Sequence, residues 1–350
     1  MPADSRRDHP PRPIAVSMGE PGGIGPELAV MAWLRRTKEH IPPFLVFGSS
    51  ALLAARCRGL GWGVPIATVT SGDTSRAMAC FANALPVVSV LGGDIQEDQP
   101  GRPTPKTAQL VVQAIEAAVT ATVSGTTRAV VTAPIQKDVL YTAGFGFPGH
   151  TEFLADLAQR QTGAPVTPVM MIASDMLKTV PVTIHIPLSK VPAALTIDAI
   201  LTVLKITDRD LRARFGIKAP RLVVAGLNPH AGEAGTIGTE DRDIIAPAVE
   251  HARANGLDVR GPLPADTLFH DRARVGFDAA IAMYHDQALI PVKALAFDEA
   301  VNVTLGLPFV RTSPDHGTAI DIAGMGTANP SSFIAALKLA DRMTQTADAT

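Results

Sequence analysis

Three apolar, strand-like runs each close on a histidine: residues 179–185 end at His185, 222–230 at His230 and 279–285 at His285. Parallel strands of an α/β sheet deliver their C-terminal ends to one edge, where ligands bind. Three imidazoles gathered there hold one divalent metal and leave a coordination position open for chemistry. The competing reading is three unrelated strand-end histidines satisfied by backbone.

Two further strings carry chemistry. Thr151 can cap a helix that opens with Glu152-Phe153-Leu154, which sets His150 and Thr151 at a helix N-terminus whose free N–H groups attract an anion such as phosphate. The segment from Ser313 to Pro330 has glycines, among them Gly317, that permit tight turns and close backbone approach, while His316, Asp321 and Asn329 offer hydrogen bonds to a ribose and a base. A literal Gly-x-Gly-x-x-Gly at 144–149 is set aside, because residues 138–143 make a poor strand and no acidic residue follows at the spacing a dinucleotide fold requires.

The elements that must position these residues alternate. Residues 14–18 read as a short buried strand, and a Gly/Pro turn over 19–25 leads into a helix with Pro26 at its first position. A strand over 44–47, a long Ala/Val-rich helix over 107–123 and a strand over 128–132 follow. This is an α/β pattern with a largely parallel sheet. At 350 residues two domains are expected: a discontinuous first domain of 1–140 plus 306–350, and a second of 141–305 that carries the histidine strands, with a cleft between them.

Bulk composition narrows the function classes. A hydrophobic fraction of 46% with 18% charged residues suits a packed globule, and a formal charge of -2 gives no field to favour nucleic acid. Cys57 and Cys80 alone build neither a disulfide framework nor a thiolate zinc site, which suits a reducing compartment. Residues 1–11 are polar and Pro-rich with no apolar signal region, and no run elsewhere suffices to span a bilayer. A cytoplasmic location with no membrane partner is expected.

The 313–330 segment resembles the adenosine-binding loop of the isopropylmalate and isocitrate dehydrogenases, which oxidise a hydroxy acid with NAD or NADP on a fold that is not Rossmann and then decarboxylate the product. From about Ile14 to Leu339 the chain resembles one family closely, the 4-hydroxythreonine-4-phosphate dehydrogenases of vitamin B6 biosynthesis. The resemblance rests on residues 19–27 (GEPGGIGPE), 149–154 (GHTEFL), 185–188 (HIPL), 228–233 (NPHAGE), 261–267 (GPLPADT) and 284–287 (YHDQ).

The resemblance implies a two-domain isocitrate/isopropylmalate dehydrogenase-like fold, NAD or NADP as cofactor, and one divalent metal (zinc, magnesium or cobalt) on His185, His230 and His285. It further implies a homodimer with the active site at the subunit interface, His285 coming from the partner. Substrate contacts carry over to His150, Thr151, Lys293, Asn302 and Arg311. The implied reaction oxidises 4-phosphohydroxy-L-threonine to a β-keto acid that decarboxylates to 3-amino-2-oxopropyl phosphate. Asp266 and Asp286, near the metal histidines, are candidates for general base or for orienting an imidazole.

Departures from the family pattern are Gln136 before Lys137, Glu20 and Gly22, where Asn, Asp and Ala are common; none touches the metal set. They leave the substrate open among relatives acting on phosphothreonate, phosphoerythronate or ring dihydrodiols. A zinc hydrolase on the same histidines is the alternative from another class, and it would have no use for the adenosine-type segment.

Overall fold

The computed structural model describes residues 12–90, 98–147 and 149–347; residues 1–11 and Pro148, both part of the sequence reading, lie outside them. The strands are β1 (Ile14–Ser17), β2 (Phe44–Gly48), β3 (Ile66–Thr68), β4 (Leu85–Ser89), β5 (Ala129–Thr132), β6 (Val169–Ala173), β7 (Lys178–Pro181), β8 (Arg221–Ala225), β9 (Asp258–Leu263), β10 (Ala279–Ala282), β11 (Val301–Leu305) and β12 (Val310–Pro314). They form one 12-stranded sheet in the order β3-β4-β2-β1-β5-β12-β11-β6-β7-β10-β8-β9.

The sheet is mostly parallel, as the alternation of strand and helix predicts. Its antiparallel ladders all fall in the middle, where β11 pairs with β12 and β6, and β6 with β7. Those reversals make β7, β10 and β8 run opposite to β1, β5 and β12. The histidine strands are nevertheless parallel neighbours, with β10 between β7 and β8.

Alternation of side chains along each strand sends Ile14, Val16, Val131 and Val303 to one face, under the helices Gly25–Arg35, Ile197–Phe215 and Ser331–Ala347. The opposite face carries two separate cores. One joins Ala15, Phe47, Val130 and Phe309 to the helices Pro105–Val123 and His150–Thr162; the other joins Ile172, Val223, Ala280 and Ala282 to the helix His285–Ala296. Between those cores the same face turns polar, and Ser17, Thr132, Arg311, Thr304 and Asn302 occupy it. The site is thus built on a face of the sheet where its two halves meet.

The helix over 107–123 begins two residues earlier, with Pro105 in its first turn, where a missing N–H is harmless. The expected cap at Thr151 is not made. The helix starts at His150 with Gly149 as its cap and no side-chain capping bond, so Thr151 lies inside the first turn. Among the described residues no helix is long and apolar enough to cross a membrane, and both cysteines are free.

Candidate active site

Arg311 anchors the polar strip. Only 2% of it is exposed; Nη1 donates to Thr304 Oγ1 at 2.9 Å and Nη2 to Thr132 Oγ1 at 2.6 Å, while the buried Nε has no partner. Among the described residues no carboxylate meets this guanidinium, and burial pushes its pKa down to about 10. His150 stands beside it with a buried, unpartnered Nε2. Burial, reinforced by the charges of Arg311 and Lys137, holds its imidazole well below the ordinary histidine range, so it is neutral at physiological pH. Asn302 adds a buried, unpartnered Oδ1. A buried guanidinium, a neutral imidazole and an amide, each with an unpartnered buried atom, together with the charge of the exposed Lys137, suit a doubly charged anion.

Lys137 is the residue that sequence reasoning left out of the site. Its charge depresses both His150 and His185. A Cβ on Gly149 would meet Lys137 Nζ and Glu152 Oε2 at 3.3 Å each, so the missing side chain lets these groups close on the helix start. The available signal was its place in the Thr-Ala-Pro-x-x-Lys loop directly after β5. Lys293, by contrast, is paired: its ammonium lies 2.9 Å from Asp315 Oδ2 and donates to Asp315 O at 3.2 Å.

His185 and His285, from the ends of neighbouring strands, face each other with ring centroids 5.8 Å apart. With Asp286, Tyr284, Ile186 and Leu188 they line a cavity of about 220 Å³. Asp286 Oδ1 lies 2.8 Å from His285 Nδ1; a carboxylate there fixes the tautomer and leaves the Nε2 lone pair free for a metal. Asp286 therefore orients an imidazole. His185 sits at φ +40°, a left-handed conformation unusual outside glycine, and burial followed by the Lys137 charge lowers its pKa.

His230 is held elsewhere, on an exposed segment whose backbone is left-handed from His230 (φ 54°) through Ala234 (φ 59°). Conformations of this kind cost roughly 1–2 kcal/mol per non-glycine residue and persist only under external restraint. Asp241 supplies it, accepting from Leu227 N at 2.8 Å, Asn228 N at 3.0 Å and Asn228 Nδ2 at 2.9 Å. Gly226 must be glycine, since a Cβ would meet Asp241 Oδ1 at 2.7 Å. Gln287 ties the ends of β10 and β8 together: Oε1 accepts from Met283 N at 2.7 Å and Nε2 donates to Gly226 O at 2.8 Å. Asp266, exposed in the turn Ala265–Thr267, packs near the His230 segment. Among the described residues no three His, Cys, Asp or Glu side chains converge within this one chain.

The adenosine-type segment lies against the loop after β1. Glu27, fully buried, accepts from Gly324 N at 2.5 Å and Gly326 N at 3.1 Å and pairs with Arg56 at 2.8 Å. Ile24 N donates to Thr318 O, and Thr318 Oγ1 to Gln136 Oε1. His316, Gly317 and Asp321 are exposed. Asn329 is engaged in starting the last helix, its Oδ1 accepting from Ser331 N and Oγ and its Nδ2 donating to Asp298.

A mostly parallel α/β sheet with a polar strip between two cores, an uncompensated cation in the strip and a facing imidazole pair define a class of enzymes acting on small anionic substrates. The family model of the pyridoxal phosphate biosynthetic protein PdxA matches residues 39–340, and the chain belongs to that family. It is 56% identical over 334 residues to the 4-hydroxythreonine-4-phosphate dehydrogenase of Methylorubrum populi, covering 95% of each chain. The crystal structure of 4-hydroxythreonine-4-phosphate dehydrogenase from Klebsiella pneumoniae superposes with a TM-score of 0.83 at 37% identity, over 95% of this chain and 100% of that one. A terephthalate 1,2-cis-dihydrodiol dehydrogenase from Burkholderia xenovorans matches with a TM-score of 0.64 at 28% identity, over 94% of this chain and 97% of that one.

Proposed function

We propose that this protein is a metal-dependent, NAD(P)-linked dehydrogenase that oxidises 4-phosphohydroxy-L-threonine to a β-keto acid, which decarboxylates to 3-amino-2-oxopropyl phosphate in pyridoxal phosphate biosynthesis. The observation that carries the substrate choice is Arg311, a buried guanidinium with hydroxyl partners and no carboxylate among the described residues. Its counter-charge comes from the ligand. Lys137, His150 and Asn302 surround the same position, and Thr151 adds the first turn of the helix. Lys293, already neutralised by Asp315, bounds the site more than it charges it.

A divalent metal (zinc, magnesium or cobalt) suits the donor set, because His185 and His285 face each other and Asp286 presents the Nε2 lone pair of His285. Such an ion would supply Lewis-acid stabilisation of negative charge on a substrate oxygen. Two imidazoles fall short of three. A second copy in a homodimer completes the set, with His285 the ligand that the resemblance assigns to the partner. Asp266 travels with His230 and is the remaining candidate for general base at the shared site.

The assay that tests the reaction follows reduced nicotinamide absorbance with the phosphorylated hydroxy-amino acid, NAD or NADP, and metal before and after chelation. Turnover that needs both cofactor and metal is expected. Turnover of a ring dihydrodiol but not of the phosphorylated acid would place the chain with the second kind of relative. Mixed refolding tests the shared site. His185→Ala with His285→Ala regains part of its activity, because one hybrid centre is complete, whereas His185→Ala with His230→Ala does not. The opposite pattern makes His230 the partner's ligand.

A further inference from the structure

Glu20 is a fully buried carboxyl at the C-terminal end of β1. Its Oε1 accepts from Gly22 N at 3.0 Å and Thr107 Oγ1 at 3.2 Å, while Oε2, equally buried, has no partner among the described residues. Three residues earlier, Ser17 has a fully buried hydroxyl with no partner either. A buried polar atom left unpaired costs about 1–3 kcal/mol, so two in one turn point to a group that arrives with the ligand.

Their place in the fold says which part of the ligand. Ser17 is in register with Thr132, whose hydroxyl accepts from Arg311, so the phosphate end of the polar strip begins on the next strand. On the other side, Ile24 N donates to Thr318 O, which joins this turn to the adenosine-type segment. The turn thus lies between that segment and the polar strip, where a dinucleotide reaching from one to the other would place its reacting ring. The reacting ring of a nicotinamide carries a carboxamide with one donor group and one acceptor. A carboxyl oxygen and a hydroxyl are its complement.

We propose that Glu20 and Ser17 bind the nicotinamide carboxamide, Glu20 Oε2 accepting from its NH2 and Ser17 Oγ donating to its carbonyl, and so fix the ring face that meets the substrate. This rests on the NAD(P) reading above. Oε1, held by Gly22 and Thr107, keeps the free oxygen in a set orientation, and Glu20 N donating to Pro134 O at 2.9 Å anchors the backbone.

The test compares wild type, Glu20→Gln and Ser17→Ala for binding of reduced nicotinamide dinucleotide by its fluorescence, and of two competitors by displacement. The competitors are the 3-acetylpyridine dinucleotide, whose methyl replaces the amide NH2, and ADP-ribose, which has no ring. Wild type is expected to prefer the natural dinucleotide over the acetylpyridine form by roughly 10- to 100-fold, the value of a hydrogen bond to a charged group. Glu20→Gln, which offers an NH2 to an NH2, loses most of that preference, and Ser17→Ala weakens both forms together. ADP-ribose binds all three proteins alike, which also shows that the variants are folded. Retention of the full preference in Glu20→Gln, or a variant that weakens the phosphorylated substrate and leaves the dinucleotide untouched, overturns the assignment. A wild type that binds neither dinucleotide nor ADP-ribose removes the cofactor reading itself, and this assignment with it.

Discussion

Arg56, on the helix Ser50–Gly59, and Arg311, on β12, are buried to the same degree, 1% and 2% exposed, yet their surroundings are opposite. Around Arg56 every hydrogen-bonding direction is taken. Nη1 donates to Glu27 Oε1 and Gly23 O, Nη2 to Pro21 O and Asp98 Oδ1, and Nε to Asp98 Oδ2 at 2.6 Å. Around Arg311, among the described residues, only two hydroxyls accept, and Nε has no partner at all. A charge removed from water must be compensated. Where the chain supplies the compensation, the arginine is architecture, and here it locks the loop after β1 to the adenosine-type segment through Glu27. Where the chain withholds it, the cation is kept for a ligand.

The largest expected effect tests the architectural side. Arg56→Leu leaves Glu27 and Asp98 as buried carboxylates without their cation, and breaking such a pair costs about 3–5 kcal/mol. Chemical denaturation should show that loss at neutral pH. Arg311→Met, run in parallel, is expected to leave stability unchanged or higher, because it removes an uncompensated charge. If Arg311→Met destabilises as much as Arg56→Leu, the contrast between the two sites disappears.

Arg311→Lys tests the functional side. It keeps charge but loses the planar fork, and we expect a loss of about 1.5–3 kcal/mol in transition-state binding, ~10- to 150-fold in kcat/KM. An analogue lacking the phosphate should be poor for wild type and lose little more in the variant, since remote phosphate binding is what orients the reacting carbon. A variant that discriminates between the two forms as strongly as wild type does would show that Arg311 does not read phosphate.

The smallest effect is in pH dependence. His150 has its folded pKa depressed far below 6.5 by burial and by Arg311 and Lys137, so below pH 6.5 the unfolded chain takes up a proton that the native chain refuses. Stability therefore falls as pH drops through this window, by at most about 1.4 kcal/mol per pH unit from this group. His150→Gln should flatten that slope between pH 6.5 and 5. Glu20 contributes with the opposite sign, because burial raises its carboxyl: its share is present at low pH and is lost as pH climbs through the raised value. Denaturation midpoints of Glu20→Gln against wild type separate the two; an unaltered slope in His150→Gln would mean that the imidazole is not held neutral.

The sequence alone determined the alternation of strand and helix, because periodicity and Gly/Pro punctuation are local properties: the runs at 14–18, 44–47 and 128–132 all became parallel strands within a residue at either end. It also picked out the three strand-end histidines by their placement, while Arg311 came only from the resemblance to the family. What tertiary structure alone decided is who meets whom. Three reversed ladders in mid-sheet, invisible to any local pattern, turned the histidine strands against the first half and made a face between two cores into the site. Strand order set His185 beside His285 and left His230 on its own segment. Lys137 and Thr132 entered the site, and Asn329 was drawn into a helix start, because partnership depends on residues far apart in the chain. Charge compensation is a property of the neighbourhood, so Arg56 and Arg311, identical as letters, were separated only by folding.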